Sequence, residues 1–362
     1  MDTLAQAKEF FLAGVAHFEA GRFDVADRQF TAALALAPGR ASILVNLGAT
    51  RLKLGRFEEA AELLGDALRQ EPGDAQAWGH RATALAELGR HQHALESIDR
   101  AIDINPAQGA AWTLRGTLLR EMGRPAPAAA AYRRALECGA DPQLTAYYLA
   151  ALDGNDTPEA PPPGYVETLF DTYADGFEEH LLQVLHYRAP DVLAARLRGM
   201  GRVFAQAVDL GCGTGLCGPL LRPMAIALQG VDLSANMVRQ AQARGAYDSV
   251  VQADAQQFLR DARQRFDLVV AADVFIYVGA LEGVFEAAAA ALVPQGVFCF
   301  SVEKHTPDGF ALRTSLRYAH SASYLAELAA RNGFAVTARE EHPIREDQGR
   351  PIAGLYYWLT RR

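Results

Sequence analysis

VDLGCGTGLCG, Val208–Gly218, decides how the C-terminal half of this 362-residue chain is built. An apolar run enters it, Asp209 stands two places before the first glycine, and Gly211, Gly213, Gly215 and Gly218 follow within eight positions. GTGLCG satisfies G-x-G-x-x-G, the pattern that lets a strand turn tightly into a helix while main chain approaches a ligand. No Lys-Ser or Lys-Thr follows the glycines, which excludes a P-loop. Nineteen positions after Gly213, Asp232 in GVDLS ends the next apolar run and is placed to accept hydrogen bonds from ribose hydroxyls. These letters leave a dinucleotide and another nucleoside-bearing cofactor both open.

Working outward, AQAVDLG, AIALQGVDL, DSVVQAD, FDLVVAAD and GVFCFSVE are short apolar runs separated by helical patterns. Such alternation predicts parallel strands with crossover helices, a doubly wound α/β sheet. FAVTAREE, after the helical SYLAELAARNG, and IAGLYYWLT add two strands, for seven in all. In such sheets a cofactor sits beyond the carboxyl ends of the strands.

Toward the N-terminus the chain repeats itself. Gly21, Gly55, Gly89 and Gly123 stand 34 residues apart, each followed by Arg, and Ala26, Ala60, Ala94 and Ala128 recur five residues later. Pro38, Pro72 and Pro106 keep the interval, and Trp78 and Trp112 occupy equivalent places. This period marks a helical solenoid, four copies over about residues 7–142, and it resembles the tetratricopeptide repeat. Glycine ends the first helix of each pair, alanine lets two helices approach closely, and proline stops the second. Stacked pairs leave a concave groove. Trp78 and Trp112 are expected to pack between repeats, with Asn46, Arg81 and Arg115 as candidate groove positions. QLTAYYLAALDG is predicted to cap the stack, so that residues 1–142 form the repeats and 143–164 a capping helix and linker. DGNDTPEAPPPG, Asp153–Gly164, has the composition of an extended connection, and the second domain follows as 165–362.

The formal net charge of −8 and the lack of a Lys/Arg cluster argue against nucleic acid as a partner. Cys138, Cys212, Cys217 and Cys299 lack metal-ligand spacing, so neither a disulfide nor a metal is expected. The N-terminal stretch is acidic and amphipathic and no run of about 18 apolar residues occurs, which predicts no membrane association and a soluble, cytoplasmic protein.

The flanks of the glycine loop separate the two ligands. Asp209 would oppose a pyrophosphate but suits a ligand carrying an ammonium group. VDLGCGTG, GVDLSANM, QADAQQF and AADVFIY, in that order, resemble the motifs of class I S-adenosylmethionine-dependent methyltransferases. YVETLFDTYADGFEEHLLQVLHYRAP, RYAHSASYLAEL and RPIAGLYYWLT extend the likeness over essentially the whole chain, to bacterial tetratricopeptide-repeat-containing methyltransferases related to the methyltransferase 27-like family. The resemblance implies a Rossmann-like sheet ordered 3-2-1-4-5-7-6 with a reversed last hairpin, and S-adenosylmethionine as methyl donor. It implies that Asp209, Gly211, Gly213 and Gly215 line the methionine end, and Asp232 and Leu233 the ribose. Asp254 and Ala255 would meet the adenine and Ala271 the cofactor's inner side, with Met237 also among the cofactor-binding residues. A helix with Tyr165, Tyr173 and Phe177 would cover the cofactor.

Methyl transfer from a sulfonium is an in-line displacement that needs alignment in a dry site and no covalent nucleophile. If a proton must leave the acceptor, His320 in RYAHS and His180 in FEEHL are candidate bases. Asp273 and Tyr277 are candidates for orienting the acceptor, Arg317 and Arg345 for binding an acidic one, and Tyr318 and Tyr324 for pocket walls. The absence of Asn/Asp-Pro-Pro-Tyr or a Pro-Cys nucleophile after the fourth strand disfavours DNA bases, and Asp273 and Tyr277 are one residue too far apart for the Asp-x-x-Tyr of related protein lysine methyltransferases. A small-molecule or carrier-linked acceptor is expected, with the repeats docking a protein or peptide or pairing two copies in a homodimer. The alternatives are an enzyme whose repeat groove recruits a protein substrate, and a non-catalytic scaffold that senses the cofactor.

Overall fold

The computed structural model describes residues 3–154, 157–173, 178, 180–262, 264–347 and 349–362. It forms two compact units, Met1–Leu152 and Asp153–Arg362.

The first unit is a stack of helix pairs: α1 (Thr3–Glu19) with α2 (Phe23–Leu36), α3 (Ala41–Lys53) with α4 (Phe57–Gln70), α5 (Ala75–Glu87) with α6 (His91–Ile104), and α7 (Gly109–Glu121) with α8 (Pro125–Glu137). Each Gly-Arg pair makes the same turn. At Gly21 φ is +71°, its N–H donates to the Phe18 carbonyl, and the Arg22 N–H reaches back to His17 at 2.9 Å. The equivalent Arg56, Arg90 and Arg124 bonds run to Arg51, Leu85 and Leu119 at 2.8–2.9 Å. This is the Schellman closure, in which a left-handed residue satisfies the last carbonyls of a helix. The four alanines that follow are fully buried where the paired helices touch. Trp78 and Trp112 join the inter-repeat core, and their indole N–H groups donate to the Pro72 and Pro106 carbonyls at 3.0 and 2.9 Å. Among the expected groove positions, Asn46 donates to the Ser42 carbonyl, Arg81 to Ser97 and Arg115 to Asp99, all within the repeats. The expected cap is α9 (Pro142–Asp153), whose Tyr148, Leu149 and Leu152 pack on the repeat core.

The segment after α9 is not a free spacer. The Glu159 carbonyl accepts from the Gly279 and Ala280 N–H groups at 3.0 and 2.9 Å, so the Pro-rich stretch lies against the second unit. There, parallel strands β1 (Phe204–Leu210), β2 (Ala225–Asp232), β3 (Ser249–Gln252), β4 (Phe266–Ala271) and β5 (Leu292–His305) take the order β3-β2-β1-β4-β5. The sheet has nine strands rather than seven. The hairpin β8 (Phe334–Asp347) and β9 (Arg350–Arg361) continues it, with β9 antiparallel to β5, and this is the expected reversal. The two additional strands, β6 (Phe310–Leu312) and β7 (Tyr318–Ser321), form a short flap on the last residues of β5.

Helices cover both faces. On one lie α11 (Ala189–Gly199) and α12 (Gly218–Leu221); on the other lie α14 (Ala255–Asp261), α15 (Glu282–Ala291) and α16 (Ala322–Arg331). Between β2 and β3 runs α13 (Ala235–Arg244). Leu210 is level with Val231 on one side and Ala271 on the other, so β1, β2 and β4 end at one edge. Strand order reverses at β1, which opens the crevice between β1 and β4 where ligands of such sheets bind. No helix among the described residues is long and apolar enough to cross a membrane, and no cluster of His, Cys, Asp or Glu there has metal-binding geometry. All four cysteines are free thiols.

Candidate functional site

The loop after β1 places main chain at the crevice. Gly211, Gly213 and Gly215 all have positive φ. Gly213, at +54°, is the informative one: a Cβ there would meet nothing within 4 Å, so the strained conformation leaves open space at the loop's crest. At Gly218 a Cβ would sit 2.8 Å from the Ala246 side chain, so this last glycine serves close packing.

Asp232 ends β2 and holds that loop in place. Its Oδ2 accepts from the Gly213 N–H at 2.8 Å and its Oδ1 from the Ser234 N–H at 2.9 Å. Burial pushes its carboxyl upward, while the N–H groups of Ser234 and Gly213 draw it back. Each oxygen keeps a lone pair for a further donor. Asp209 is 1% exposed; the Tyr247 hydroxyl donates to its Oδ2 at 2.6 Å, whereas Oδ1 is buried with no partner. Burial raises this carboxyl to about 7, against the pull of the Tyr247 hydrogen bond.

Leu233 is half-buried beside Asp232, and Asp254, exposed at the end of β3, caps α14 by accepting from the Gln257 N–H at 2.8 Å. Ala255 opens that helix. Met237 and Ala271 are fully buried in α13 and at the end of β4. The structure thus gathers Asp209, the three glycines, Asp232, Leu233, Asp254, Ala255 and Ala271 along the carboxyl ends of four adjacent strands.

A strap crosses this edge. In α10 (Tyr165–Tyr173), Asp171 Oδ1 accepts from the Ser234 hydroxyl at 2.5 Å, and its carbonyl accepts from Asn236 Nδ2 at 2.8 Å. The ring of Phe170 meets that of Tyr277 edge-on at 5.3 Å. Further along, Glu178 accepts from the Thr214 hydroxyl at 2.9 Å and from Arg244. Phe170, Asp171 and Glu178, polar or isolated positions that no motif singled out, thus tie the described parts of this segment to Tyr277, Ser234 and Thr214. Tyr165 is half-buried at its start; Phe177 and the side chains of Tyr173 and His180 lie outside the described residues.

Beyond β4 the chain turns at Asp273, a non-glycine residue at φ +59°, whose N–H donates to the Ser301 hydroxyl at 2.8 Å. Asp273 Oδ2 is bound by Arg345, which reaches from β8 and also binds Glu303 on β5. Arg345 and Glu303 side chains are 1% and 2% exposed, and Asp273 Oδ1 is buried without a partner. Burial pushes the Glu303 carboxyl up while Arg345 draws it down. Arg345, expected as a hook for an acidic acceptor, is instead engaged by two carboxylates of its own chain, with its Nε buried and unpaired.

His320, expected as a base facing the acceptor, also differs. It lies on β7 with no exposure, its Nε2 is hydrogen-bonded to the Gly279 carbonyl at 2.9 Å, and its ring stacks on Tyr324. Burial lowers it to about 4, so the ring is neutral and the Nε2 proton is occupied in holding the loop after β4. The reason is the short flap: RYAHS forms a strand whose neighbours enclose the imidazole. Tyr318 is fully buried, and the Tyr324 hydroxyl donates to Glu282 at 2.9 Å while accepting from the Leu281 N–H at 2.8 Å, so both belong to the scaffold.

Comparison with known proteins agrees with this division. Residues 208–300 match the family described as Methyltransferase domain, and residues 11–64, 45–109 and 94–145 match Tetratricopeptide repeat. A malonyl-[acyl-carrier protein] O-methyltransferase of Enterobacter lignolyticus (strain SCF1) is 32% identical over 136 residues, 38% of this chain and 52% of that one; the chain thus spans about half the length of this curated relative. Among solved structures, magnesium protoporphyrin IX methyltransferase from Synechocystis PCC 6803 aligns with 54% of this chain and 98% of its own at 19% identity and a TM-score of 0.44. MamA from Desulfovibrio magneticus RS-1 aligns with 36% and 75% at 20% identity and a TM-score of 0.36. The chain is a tetratricopeptide-repeat protein that carries a methyltransferase domain.

Proposed function

We propose that the second unit binds S-adenosylmethionine at the β1/β4 crevice and transfers its methyl group to a small-molecule or carrier-linked acceptor, while the repeats engage a protein partner or a second copy. The observation that carries this reading is Asp232, whose carboxylate clamps the Gly213 main chain and stands at the end of β2 with lone pairs to spare for ribose hydroxyls. The buried, unpaired Asp209 Oδ1 fits a ligand bearing an ammonium group and would repel a pyrophosphate. The relative from Enterobacter lignolyticus supports a carrier-linked acceptor, since its name specifies an acyl-carrier-protein substrate.

The cofactor supplies a methyl group activated on a sulfonium. This chain's residues supply alignment and dryness: the glycine loop and Asp232 fix the nucleoside, and Phe170, Asp171 and Glu178 draw the strap over the strand ends to exclude water. Asp273 and Tyr277, next along the edge, face the side on which an acceptor would enter.

Calorimetry with S-adenosylmethionine and its demethylated product tests the reading. Micromolar binding is expected, weakened about 10- to 100-fold in Asp232→Ala by loss of charge-assisted hydrogen bonds, and abolished in Gly213→Arg, which fills the open crest. Absence of binding by the intact protein, or preference for a nicotinamide dinucleotide, would overturn it.

A further inference from the structure

One aromatic ring packs against the glycine loop. A Cβ at Gly215, Gly218 or Gly230 would lie 3.1, 2.8 or 3.3 Å from a carbon of the Tyr247 ring. Gly215 and Gly218 belong to the loop and Gly230 to β2, so three missing side chains make one socket. The chain on either side of Tyr247 is anchored. Gly245, at φ +69°, ends α13 and turns the chain toward the ring. The Asp248 N–H donates to the Leu228 carbonyl at 2.8 Å, and Asp248 Oδ2 accepts from the Leu228 N–H at 2.6 Å and from Arg222 Nη1 at 2.8 Å. A ring seated this closely on main chain cannot swing without moving its neighbours.

The socket aims the phenol at Asp209. Its hydroxyl donates to Asp209 Oδ2 at 2.6 Å, while Oδ1 is left buried with no hydrogen-bond partner. Burial and the charge of Asp209 push the Tyr247 hydroxyl far above its ordinary value, so it keeps the proton it donates. On the carboxyl, burial and the charge of Asp232 act upward; the Tyr247 hydrogen bond is the strongest pull downward, and the Cys217 thiol adds a smaller one. Burial keeps Cys212, Cys217 and Cys299, all close to this acid, in their neutral forms.

We infer that Tyr247 is a positioning residue of the cofactor site, which acts through Asp209 by fixing one carboxylate oxygen and reserving the other for the ammonium group of the ligand. This rests on the cofactor reading above and deepens it. A carboxylate held by one oxygen in a dry site needs no reorganisation when a cation arrives. Without that hydrogen bond it takes up a proton more readily and loses the charge that attracts the ligand. The glycines therefore serve two ends: Gly213 leaves the crest open, and Gly215, Gly218 and Gly230 seat the tyrosine that readies the acid.

Calorimetry on the full-length protein compares the demethylated cofactor, S-adenosylhomocysteine, with the analogue that carries hydrogen in place of its amino group. Tyr247→Phe keeps the ring and removes only the hydroxyl. The dissociation constant for S-adenosylhomocysteine is expected to rise about 10-fold, and that for the analogue to hold within about 2-fold. In an Asp209→Asn background, already weakened, Tyr247→Phe is expected to add nothing, because the group it acts through is gone. Gly218→Ala, which crowds the same ring, repeats the comparison and decides it should Tyr247→Phe fail to fold by circular dichroism. Equal loss for both ligands, no loss for either, or an undiminished loss in the Asp209→Asn background overturns the positioning role. In each of these cases binding by the wild type leaves the methyltransferase reading standing, whereas no binding of S-adenosylhomocysteine by the wild type removes both.

Discussion

Replacing Arg345 with methionine removes the one cation that two buried carboxylates share. Methionine retains the hydrophobic volume, so the electrostatic loss dominates. Breaking a buried pair from one side costs about 3–5 kcal/mol, a large part of the 5–15 kcal/mol that typically holds a domain together. The structure also fixes the pH dependence. A stranded carboxylate escapes its penalty by protonation, at about 1.4 kcal/mol for each pH unit above its ordinary value near 4.3. For one carboxyl this limits the deficit to about 5 kcal/mol at pH 8 and about 1.6 kcal/mol at pH 5.5. The Glu303 carboxyl is already raised by burial, and without Arg345 its folded-state value climbs further. The folded protein then binds more protons than the unfolded chain; its stability is greatest at low pH and falls as pH rises through the raised value. Trp358 provides the readout. It is fully buried on β9, and with Trp78→Phe and Trp112→Phe in the background it reports the second unit alone in urea titrations. A deficit below about 1 kcal/mol at pH 8, or one equal at pH 8 and 5.5, would refute the shared-cation argument.

Three shorter predictions follow from other sites. Asp209, held near 7 by burial, makes wild-type stability decline as pH rises from about 4 to about 7, by up to ~4 kcal/mol in the limit; Asp209→Asn should flatten that decline, and an unchanged slope in denaturant titrations would contradict the assigned environment. Gly116→Val places a Cβ 2.6 Å from the Tyr132 ring and should destabilise the repeats by about 1–3 kcal/mol, visible as an earlier helical melt by circular dichroism. Asp171→Ala frees the Ser234 hydroxyl from the strap while leaving the Asn236 bond to the residue 171 carbonyl, and should speed dissociation of the demethylated cofactor about 10-fold in stopped-flow measurements; identical off-rates would show that the strap does not gate release.

Much of this architecture is legible from periodicity, because period 34 and apolar runs of six to eight residues survive any tertiary rearrangement. The repeat turns and β1 to β5 are of this kind. β6 and β7 are not: FAL and YAHS are too short to carry an alternation, and YAHS directly precedes a helix, so nothing in the sequence marks His320 as a strand residue. β8 extends through HPIRED, where a proline and alternating charges hide a strand that a register shift near Pro343 accommodates. The ends of the strands reveal Asp209, Asp232 and Asp254, since motifs mark them. Their partners are hidden: Tyr247 reaches Asp209 across 38 residues, and Arg345 reaches Asp273 across 72. An isolated tyrosine or arginine carries no local sign of which buried acid it will meet.

The place of β9 has a bearing on biosynthesis. It lies inside the sheet, between β5 and β8, yet leaves the ribosome after the other described strands. Until it emerges, the flank of β5 that faces β9 has no neighbour and the hairpin that delivers Arg345 cannot close, so Asp273 and Glu303 lack the cation they share. The repeats, whose contacts are local, are free to fold while synthesis continues. A nascent chain would thus display its folded repeats well before it owns a competent pocket, and a premature stop within β9 would leave the repeats without that site.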